Sequence, residues 1–261
     1  MTHAALNRQT SMHDLHQKSR TVAVTGASGS LGRALLIQLH AEGAQLIALT
    51  SSSEPLALSD ADGQPIPLRQ VVWQCGREEE LRELLAEVDL LVLNHGVNVH
   101  GDRSAAATQR SLEVNALSSW RLLELFGELA AADAAAGDAQ SGRRPPRELW
   151  MNTSEAEIQP AVSPLYEISK RLQGQLLSLR SLDLAGPELR IRRLVLGPFR
   201  SALNPIGVMS AAFVAREVLR QARWNWGLII VTPNPLTYVL MPLAALSRWL
   251  YFRVFSRPAT G

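Results

Sequence analysis

The 261-residue sequence is poor in cysteine, in lysine and in net charge. Its single cysteine, Cys75, excludes an internal disulfide and a cysteine-based metal cluster, and it fits a reducing compartment. The formal net charge is +2 and no run of lysine or arginine occurs, so we expect no nucleic-acid partner. The beginning of the chain lacks the apolar core that a secretory signal needs. These absences favour a cytoplasmic protein.

The composition also predicts the domain plan. Residues 1–20 are polar and are expected to form a flexible N-terminal tail. His13 and His16 could share one face of a helix there, but no third ligand is near, so we expect no metal site. The whole chain has 46% hydrophobic and 19% charged residues, which is ordinary for a globular protein. We expect one α/β domain over residues 21–232 and an apolar, aromatic extension over residues 233–261.

A glycine-rich turn organises the start of this domain. Thr21 to Thr25 are rich in β-branched residues, which is typical of a buried parallel strand, and a helical pattern follows the turn. A strand that enters a helix in this way places a pyrophosphate on the helix N-terminal amides, and glycine lets the phosphates approach the backbone. The alternative is an ordinary strand–helix turn. We assign dinucleotide binding to Gly26, Ser28, Gly29, Ser30, Leu31 and Gly32.

Short apolar segments alternate with helical patterns along the rest of the chain. This alternation predicts an α/β fold, namely a single Rossmann-type, doubly wound parallel sheet with helices on both faces. The predicted strands are 21–25, 44–50, 70–75, 88–93, 149–153, 188–196 and 227–232.

The end of the second predicted strand bears on the choice of cofactor. NAD-specific sites usually have an aspartate or glutamate there, whereas this chain continues with Thr50 and three serines that begin at Ser51. Hydroxyl groups can donate to a 2′-phosphate, no carboxylate stands there to repel it, and Arg33 could add positive charge. We therefore assign Thr50 and Ser51 to cofactor binding and expect NADP(H) to be favoured over NAD(H).

Two further strands end in residues that suit the same cleft. Asn94, His95 and Gly96 follow the fourth strand, and Gly197 and Pro198 follow the sixth. Ligands of such sheets bind at the carboxyl ends of the strands, so we assign Asn94, Gly96, Gly197 and Pro198 to cofactor binding. His95 is either a catalytic acid or base, or a residue that only lines the cleft.

Tyr166 and Lys170 are four positions apart and therefore share one face of a predicted helix. The chain has three tyrosines and uses lysine at only two of its 26 basic positions, Lys18 and Lys170. A compact ammonium beneath a tyrosine meets a requirement that arginine would not meet. The alternative is a chance pair on the surface.

Over residues 21–232 the chain resembles the short-chain dehydrogenase/reductase family, because five features occur in the order typical of that family. They are TGASGSLG, the NHG after strand four, Asn115, Ser154 and Tyr166-x-x-x-Lys170. The glycine spacing is similar to that of its extended and atypical members. More narrowly, GPFRSALNP and NPLTYVL look like the reductase half of the bifunctional sterol desaturase/short-chain dehydrogenase proteins. The resemblance implies an enzyme that interconverts a carbonyl and an alcohol by hydride transfer.

The resemblance also implies a role for each of these side chains. Tyr166 would be the general acid in reduction and the base in oxidation. Lys170 would hold the nicotinamide ribose and, beside the oxidised nicotinamide, lower the pKa of Tyr166, so both residues also count as cofactor-binding. Ser154 would bind the substrate oxygen, and Asn115 would hold a water in the proton relay.

The segment Pro235 to Phe255 is apolar and rich in aromatic residues. Aromatic side chains beside Arg248 and Arg253 suit a peripheral membrane contact, whereas Pro242 and the arginines argue against a simple spanning helix. The alternatives are a lid over an apolar substrate pocket and a subunit contact. Each of them favours an apolar or lipid-like substrate.

Three functions remain open from the sequence. The leading hypothesis is an NAD(P)(H)-dependent oxidoreductase, and the alternatives are a non-catalytic NAD(P)-binding scaffold or redox sensor and an epimerase-like atypical member of the family. By analogy with the family, the long helices predicted over 111–132 and 162–184 could support a homo-oligomer.

Overall fold

The protein is described by a computed structural model that covers residues 19–137 and 145–258. Residues 1–18 of the predicted tail, with His13 and His16, lie outside the described residues. A seven-stranded sheet has the order β3-β2-β1-β4-β5-β6-β7, and every neighbouring pair is parallel. The strands are β1 (Thr21–Thr25), β2 (Gln45–Thr50), β3 (Arg69–Val72), β4 (Leu90–Leu93), β5 (Arg147–Ser154), β6 (Leu189–Leu196) and β7 (Leu228–Val231).

The helices connect these strands and cover both faces of the sheet. A π-helical turn, Glu113–Leu117, joins two of them, and short 3-10 turns lie at Glu78–Leu81 and Glu155–Glu157. The α-helices are α1 (Ser30–Ala41), α2 (Arg82–Ala86), α3 (Ala105–Leu112), α4 (Ser118–Gly137), α5 (Pro164–Leu184), α6 (Ala211–Arg223) and α7 (Thr237–Phe255).

Two apolar layers hold the helices to the sheet. Because side chains alternate along a strand, Val22 and Val24 of β1 face α1 and α6, whereas Ala23 faces the layer packed by α2, α4 and α5. Most of the strands are buried and form continuous apolar runs, which is why they could be located in the sequence, whereas β3 (RQVV) is short and partly exposed. The predicted doubly wound Rossmann-type sheet is confirmed.

The order of the strands fixes the place of the site. The chain crosses from β1 to β2 on one side and later returns to place β4 on the other side of β1. The connections after β1 and β4 therefore leave the sheet in opposite directions, and a crevice opens at their carboxyl ends.

The extension at the end of the domain forms a 19-residue helix, α7, which contains Pro242 and packs on α5 and β7. Its inner side includes Met241, which is fully buried against β6 and β7. Among the described residues, no helix combines the length and the hydropathy that crossing a membrane would require.

Candidate active site

The glycine turn presents free backbone amides to the crevice. Gly26 has φ of +61°, a conformation that suits glycine, and its carbonyl accepts from the Gly29 amide at 3.0 Å. Helix α1 then begins without a side-chain cap and without an acidic residue in its first turn. The positive end of the helix and its unbonded amides are therefore available to an anion, as a dinucleotide pyrophosphate requires.

Two of the glycines are enforced by close packing. A Cβ on Gly26 would lie 2.8 Å from His95 Cα, and one on Gly32 would lie 2.8 Å from Ala27 Cα. The first contact keeps the turn against the chain that follows β4, and the second keeps α1 against the turn. The residues present therefore fit a nicotinamide dinucleotide, whose pyrophosphate would be held by the exposed stretch Ser28–Ser30.

A polar chain links this turn to the predicted catalytic lysine. Asn94 Nδ2 donates to the Gly26 carbonyl at 3.4 Å, and Asn94 Oδ1 accepts from Asn152 Nδ2 at 2.9 Å. The Asn152 carbonyl in turn accepts from Lys170 Nζ at 3.2 Å. Asn94 thus lies beside the glycine turn, and the hydrogen bonds through Asn94 and Asn152 fix the position of Lys170 relative to that turn.

Lys170 is a buried cation with a donor to spare. Its side chain is on α5, only 4% of the residue is exposed, and Nζ also donates to Gln173 Oε1 at 2.9 Å. An ammonium has three donors, so one remains for a ribose hydroxyl. Burial lowers the pKa of Lys170 to about 8, and the negative charge of Glu157 opposes this shift. Lys170 is therefore still mainly charged at neutral pH.

Tyr166 lies between Ser154 and Lys170. The Tyr166 side chain has Ser154, at the end of β5, as a neighbour, and Lys170 Nζ lies 5.7 Å from the centroid of the Tyr166 ring. Burial raises the pKa of the Tyr166 phenol above its ordinary value, the neighbouring Ser154 hydroxyl lowers it, and the nearby Glu155 charge raises it again. The net direction is upward because burial dominates, whereas the lowering that the resemblance implies depends on an oxidised nicotinamide beside Lys170 and stays a prediction. Tyr166 is a protonated donor in this state.

Asn115 positions the loop after β4. It lies at 0% exposure in the π-helical turn, where Oδ1 accepts from the Val97 amide at 2.7 Å and Nδ2 donates to the Val97 carbonyl at 2.9 Å. The second Nδ2 proton goes to Ser169 Oγ at 2.9 Å, and Ser169 Oγ donates to the Tyr166 carbonyl. Both amide protons are used, so a water at this place would be held by other atoms, and the proton-relay role stays a prediction. Gly96 packs closely against the Asn115 side chain, since a Cβ at position 96 would lie 3.2 Å from Asn115 Oδ1.

His95 is held as a neutral side chain in the wall of the crevice. Its Nδ1 lies 2.8 Å from Thr25 Oγ1, its Nε2 lies 3.5 Å from Ser119 Oγ, and its ring meets Trp73 edge-on. Burial and the positive charge of Lys170 lower the pKa of His95 to about 4. The two contacts use both ring nitrogens, which favours the lining role over that of a catalytic acid.

The side chain of Thr50 is bonded within the turn after β2. The residue is 2% exposed, and its hydroxyl donates to the Ser52 carbonyl at 2.7 Å and accepts from Gln70 Nε2 at 3.3 Å. The hydroxyl proton is therefore used within the turn, and the assignment of Thr50 to cofactor binding stays a prediction. Ser51 is exposed beside it, and the exposed Arg33 donates to the carbonyl of Ser28 at 3.0 Å.

Gly197 and Pro198 bring the end of β6 against the end of β7. A Cβ on Gly197 would lie 2.6 Å from Thr232 Cβ, and the Pro198 carbonyl accepts from Val208 N at 3.0 Å. Thr232 Oγ1 also donates to Glu155 Oε2 at 2.7 Å. The turn therefore borders the crevice next to Ser154, as expected from its place at the edge of the sheet.

Four residues of the site were not found in the sequence. Asn152 and Gln173 accept from Lys170, Ser119 links Gln173 to His95, and Ser169 links Asn115 to α5. A usable signal existed for Asn152, because polar residues at the carboxyl ends of adjacent parallel strands converge on one edge. The other three lie on helix faces whose orientation only the packing decides.

A family model agrees with this geometry. The model of the NAD dependent epimerase/dehydratase family matches residues 22–177, which include the glycine turn, Tyr166 and Lys170. The chain belongs to the NAD dependent epimerase/dehydratase family. As a member, it belongs to an NAD(P)-binding enzyme family, and its Rossmann-type domain is the one that the family shares.

One relative of known name is close in sequence. Monoglucosyldiacylglycerol epimerase of Synechocystis sp. is 46% identical over 243 residues, which cover 93% of this chain and 56% of the relative. The chain thus spans about half the length of that curated relative. The relative is named as an epimerase and not as a bifunctional sterol desaturase protein, so the narrower resemblance seen in the sequence stays a prediction.

Solved structures show the same fold at low sequence identity. A short-chain dehydrogenase from Burkholderia cenocepacia in complex with NADP has a TM-score of 0.68 at 18% identity, covering 92% of this chain and 99% of that chain. The bulky-bulky ketone specific alcohol dehydrogenase from Comamonas testosteroni has a TM-score of 0.69 at 16% identity, covering 93% and 96%. The resemblance to short-chain dehydrogenases/reductases is confirmed for the fold.

We predict that Gly26→Ala weakens NADPH binding by at least about tenfold, because the new Cβ would push the turn away from His95. The matched control is Gly43→Ala, since Gly43 also has a positive φ, of +82°, but open space around its Cβ position. Both variants lose stability through backbone strain, and only Gly26→Ala loses affinity. The measurement is fluorescence titration with NADPH, and equal losses of affinity in the two variants would contradict the assignment.

The pKa of His95 makes a second prediction. Because the pKa is about 4 in the folded protein and about 6.5 when unfolded, the unfolded state binds more protons as the pH falls below 6.5. Stability is therefore lost on acidification, and we expect wild type to lose about 1–2 kcal/mol more than His95→Gln between pH 7 and pH 4.5. Urea unfolding at the two pH values checks this, and parallel losses in both proteins would refute it.

Proposed function

We propose that this chain is a nicotinamide-dependent enzyme that inverts a secondary alcohol on the sugar of a lipid-linked substrate. The placement of Tyr166 beside Ser154 and the buried ammonium of Lys170 carries the proposal of proton-coupled hydride chemistry. The choice of inversion is supported by family membership and by the named activity of the relative that is 46% identical, an epimerase of a monoglucosyldiacylglycerol.

The chain supplies the proton steps of this chemistry. Bound nicotinamide dinucleotide would take up the carbon-bound hydrogen as a hydride and return it. Tyr166 Oη would accept the hydroxyl proton while the carbonyl forms and give it back when the alcohol re-forms. Ser154 would hold the reacting oxygen, and the Lys170 charge would stabilise the phenolate. Inversion requires the sugar to present its other face to the same hydride site before the second transfer.

The rim of the crevice supports an apolar substrate. Val162 before α5 is fully exposed, and Ile206 and Val208 after β6 are 85% and 70% exposed. The loops meet over the site, since Ser163 Oγ donates to the carbonyl of residue 100 at 2.8 Å and residue 98 donates to the carbonyl of residue 203 at 3.3 Å. Apolar side chains around such an opening suit acyl chains.

The named substrate of the relative supports a lipid rather than a nucleotide as the carrier of the sugar, since that relative is named as an epimerase of a monoglucosyldiacylglycerol. Net interconversion of a carbonyl and an alcohol is the second candidate, and it is favoured by the resemblance of the motif set to reductases.

We propose NADP(H) as the preferred cofactor. The exposed Ser51 and the absence of an acidic residue among the first three positions after β2 support it. Arg33 supports it as well, because its exposed guanidinium stands beside the glycine turn and donates to the Ser28 carbonyl. Titration with NADPH and NADH tests this preference.

We predict that Tyr166→Phe lowers kcat by about 10²- to 10⁴-fold, because the proton donor and acceptor is lost. The affinity for NADPH should stay within a factor of about three of wild type, since the ring remains. Tyr251→Phe is the control, because the Tyr251 side chain is exposed on α7. Full activity in Tyr166→Phe would favour the scaffold hypothesis over the enzyme.

The fate of the hydride separates inversion from net oxidation. With monoglucosyldiacylglycerol carrying deuterium on the ring carbons and a catalytic amount of cofactor, we expect an isomeric glycolipid that keeps all of its deuterium. The reason is that the same hydride is removed and returned. Mass spectrometry and chromatography of the lipid are the measurement. Stoichiometric reduced cofactor together with a keto-lipid would instead establish the oxidoreductase candidate.

A further inference from the structure

The outer face of α7 is apolar along its whole length. Ten large apolar or aromatic side chains of this helix are between 41% and 75% exposed, among them Leu243, Leu246, Leu250, Val254 and Phe255. A surface helix of a globular domain normally turns charged and polar residues outward. The structure describes every residue of this helix. Apart from the aromatic side chains, the polar residues exposed on it are Ser247 and Arg253.

The inner face is fixed, so the apolar face stays outward. Thr237 Oγ1 accepts from Gln159 Nε2 at 2.8 Å and donates to Glu155 Oε2 at 3.2 Å. About three turns further on, Arg248 Nη1 donates to Glu157 Oε2 at 2.5 Å, and Glu157 is 2% exposed. A buried ion pair of this kind is costly to break. The helix therefore cannot bury its outer face by rolling over on the domain.

The charged side chains of α7 and of the two residues after it have one sign. Residues 237–257 contain three arginines and no aspartate or glutamate. Arg248 is neutralised by Glu157, but Arg253 and Arg257 are exposed, and the Arg253 guanidinium lies 5.2 Å from the centroid of the Trp249 ring. Two copies of such a face would bring like charges together. Anionic headgroups would complement it, and aromatic rings favour the boundary between water and acyl chains.

We propose that the outer face of α7 docks on an anionic lipid surface, with the helix lying in the plane of the interface. The helix is about 28 Å long, and its apolar side chains would enter the boundary between headgroups and acyl chains while Arg253 and Arg257 contact the headgroups. This inference deepens the proposed function and rests on it for the identity of the substrate as a lipid.

Docking by α7 would also orient the crevice. The helix begins at Thr237, which is bonded to Glu155, and Glu155 is the next residue after Ser154. The N-terminal end of the docked helix is thus connected to the candidate active site through the hydrogen bond between Thr237 and Glu155. A lipid-linked sugar would reach Tyr166 from the surface on which the protein sits.

The test is flotation of the whole chain with vesicles. Wild type should float with vesicles of phosphatidylglycerol and phosphatidylcholine, and more weakly with phosphatidylcholine alone. Leu246→Gln/Leu250→Gln should lower the partition coefficient at least about tenfold, because two exposed apolar side chains are lost. The matched control is Val72→Gln/Phe213→Gln, which changes residues that are 53% and 40% exposed on β3 and α6, away from this face.

Three results would overturn the proposal. The first is wild type that stays in the aqueous fraction with anionic vesicles, and the second is a Leu246→Gln/Leu250→Gln variant that floats as well as wild type. The third is a wild-type dimer that the same variant converts to a monomer in light scattering without vesicles, which would make the face a subunit contact. Flotation needs neither substrate nor cofactor, so its failure is distinct from a failure of the deuterium experiment.

Discussion

The burial of one ammonium group, that of Lys170, is the constraint on which the carboxyl edge of the sheet depends. At 4% exposure this charge loses most of its hydration, so burial lowers the pKa of Lys170 to about 8, and fixed hydrogen-bond acceptors replace the water. The backbone carbonyl of Asn152, near the end of β5, and the side-chain amide oxygen of Gln173 both accept hydrogen bonds from Lys170 Nζ. Each acceptor is itself held, Asn152 through Asn94 and Gln173 through Ser119. The lysine therefore requires a whole polar layer between β4, β5 and the two long helices.

A second buried charge arranges the other side of α5. The Glu157 carboxylate accepts from Arg193 on β6 and from Arg248 on α7, and it lies where a side chain at position 174 would otherwise stand. Gly174 thus gives the carboxylate room to reach both arginines. The same carboxylate opposes the downward shift of the pKa of Lys170. One negative charge consequently fixes the apolar helix to the domain and helps to keep the Lys170 ammonium charged.

The sequence predicted those parts of the molecule that local pattern determines. Such a pattern is contained within a few residues of the chain. Examples are the individual strands, the glycine turn and the i, i+4 pair Tyr166–Lys170. The sequence could not predict contacts between residues that are distant in the chain, such as Glu157 with Arg248, which are 91 positions apart. The partners of the Thr50 hydroxyl were beyond prediction for a related reason, since they depend on Gln70 across the sheet. The burial that raises the pKa of Tyr166 could not be predicted either, because burial can be read only from packing.

An epimerase and a dehydrogenase need the same acid, base and hydride site, and they differ in what happens to the ketone between two hydride transfers. Net oxidation lets the ketone leave, whereas inversion needs it to turn over and return before it is lost. A ketone whose acyl chains remain in a bilayer diffuses only within that surface. An enzyme that rests on the same surface through α7 keeps its crevice at a high effective concentration of this intermediate. An apolar helix joined to the end of β5 through Glu155 and Glu157 is therefore more useful to inversion than to net oxidation.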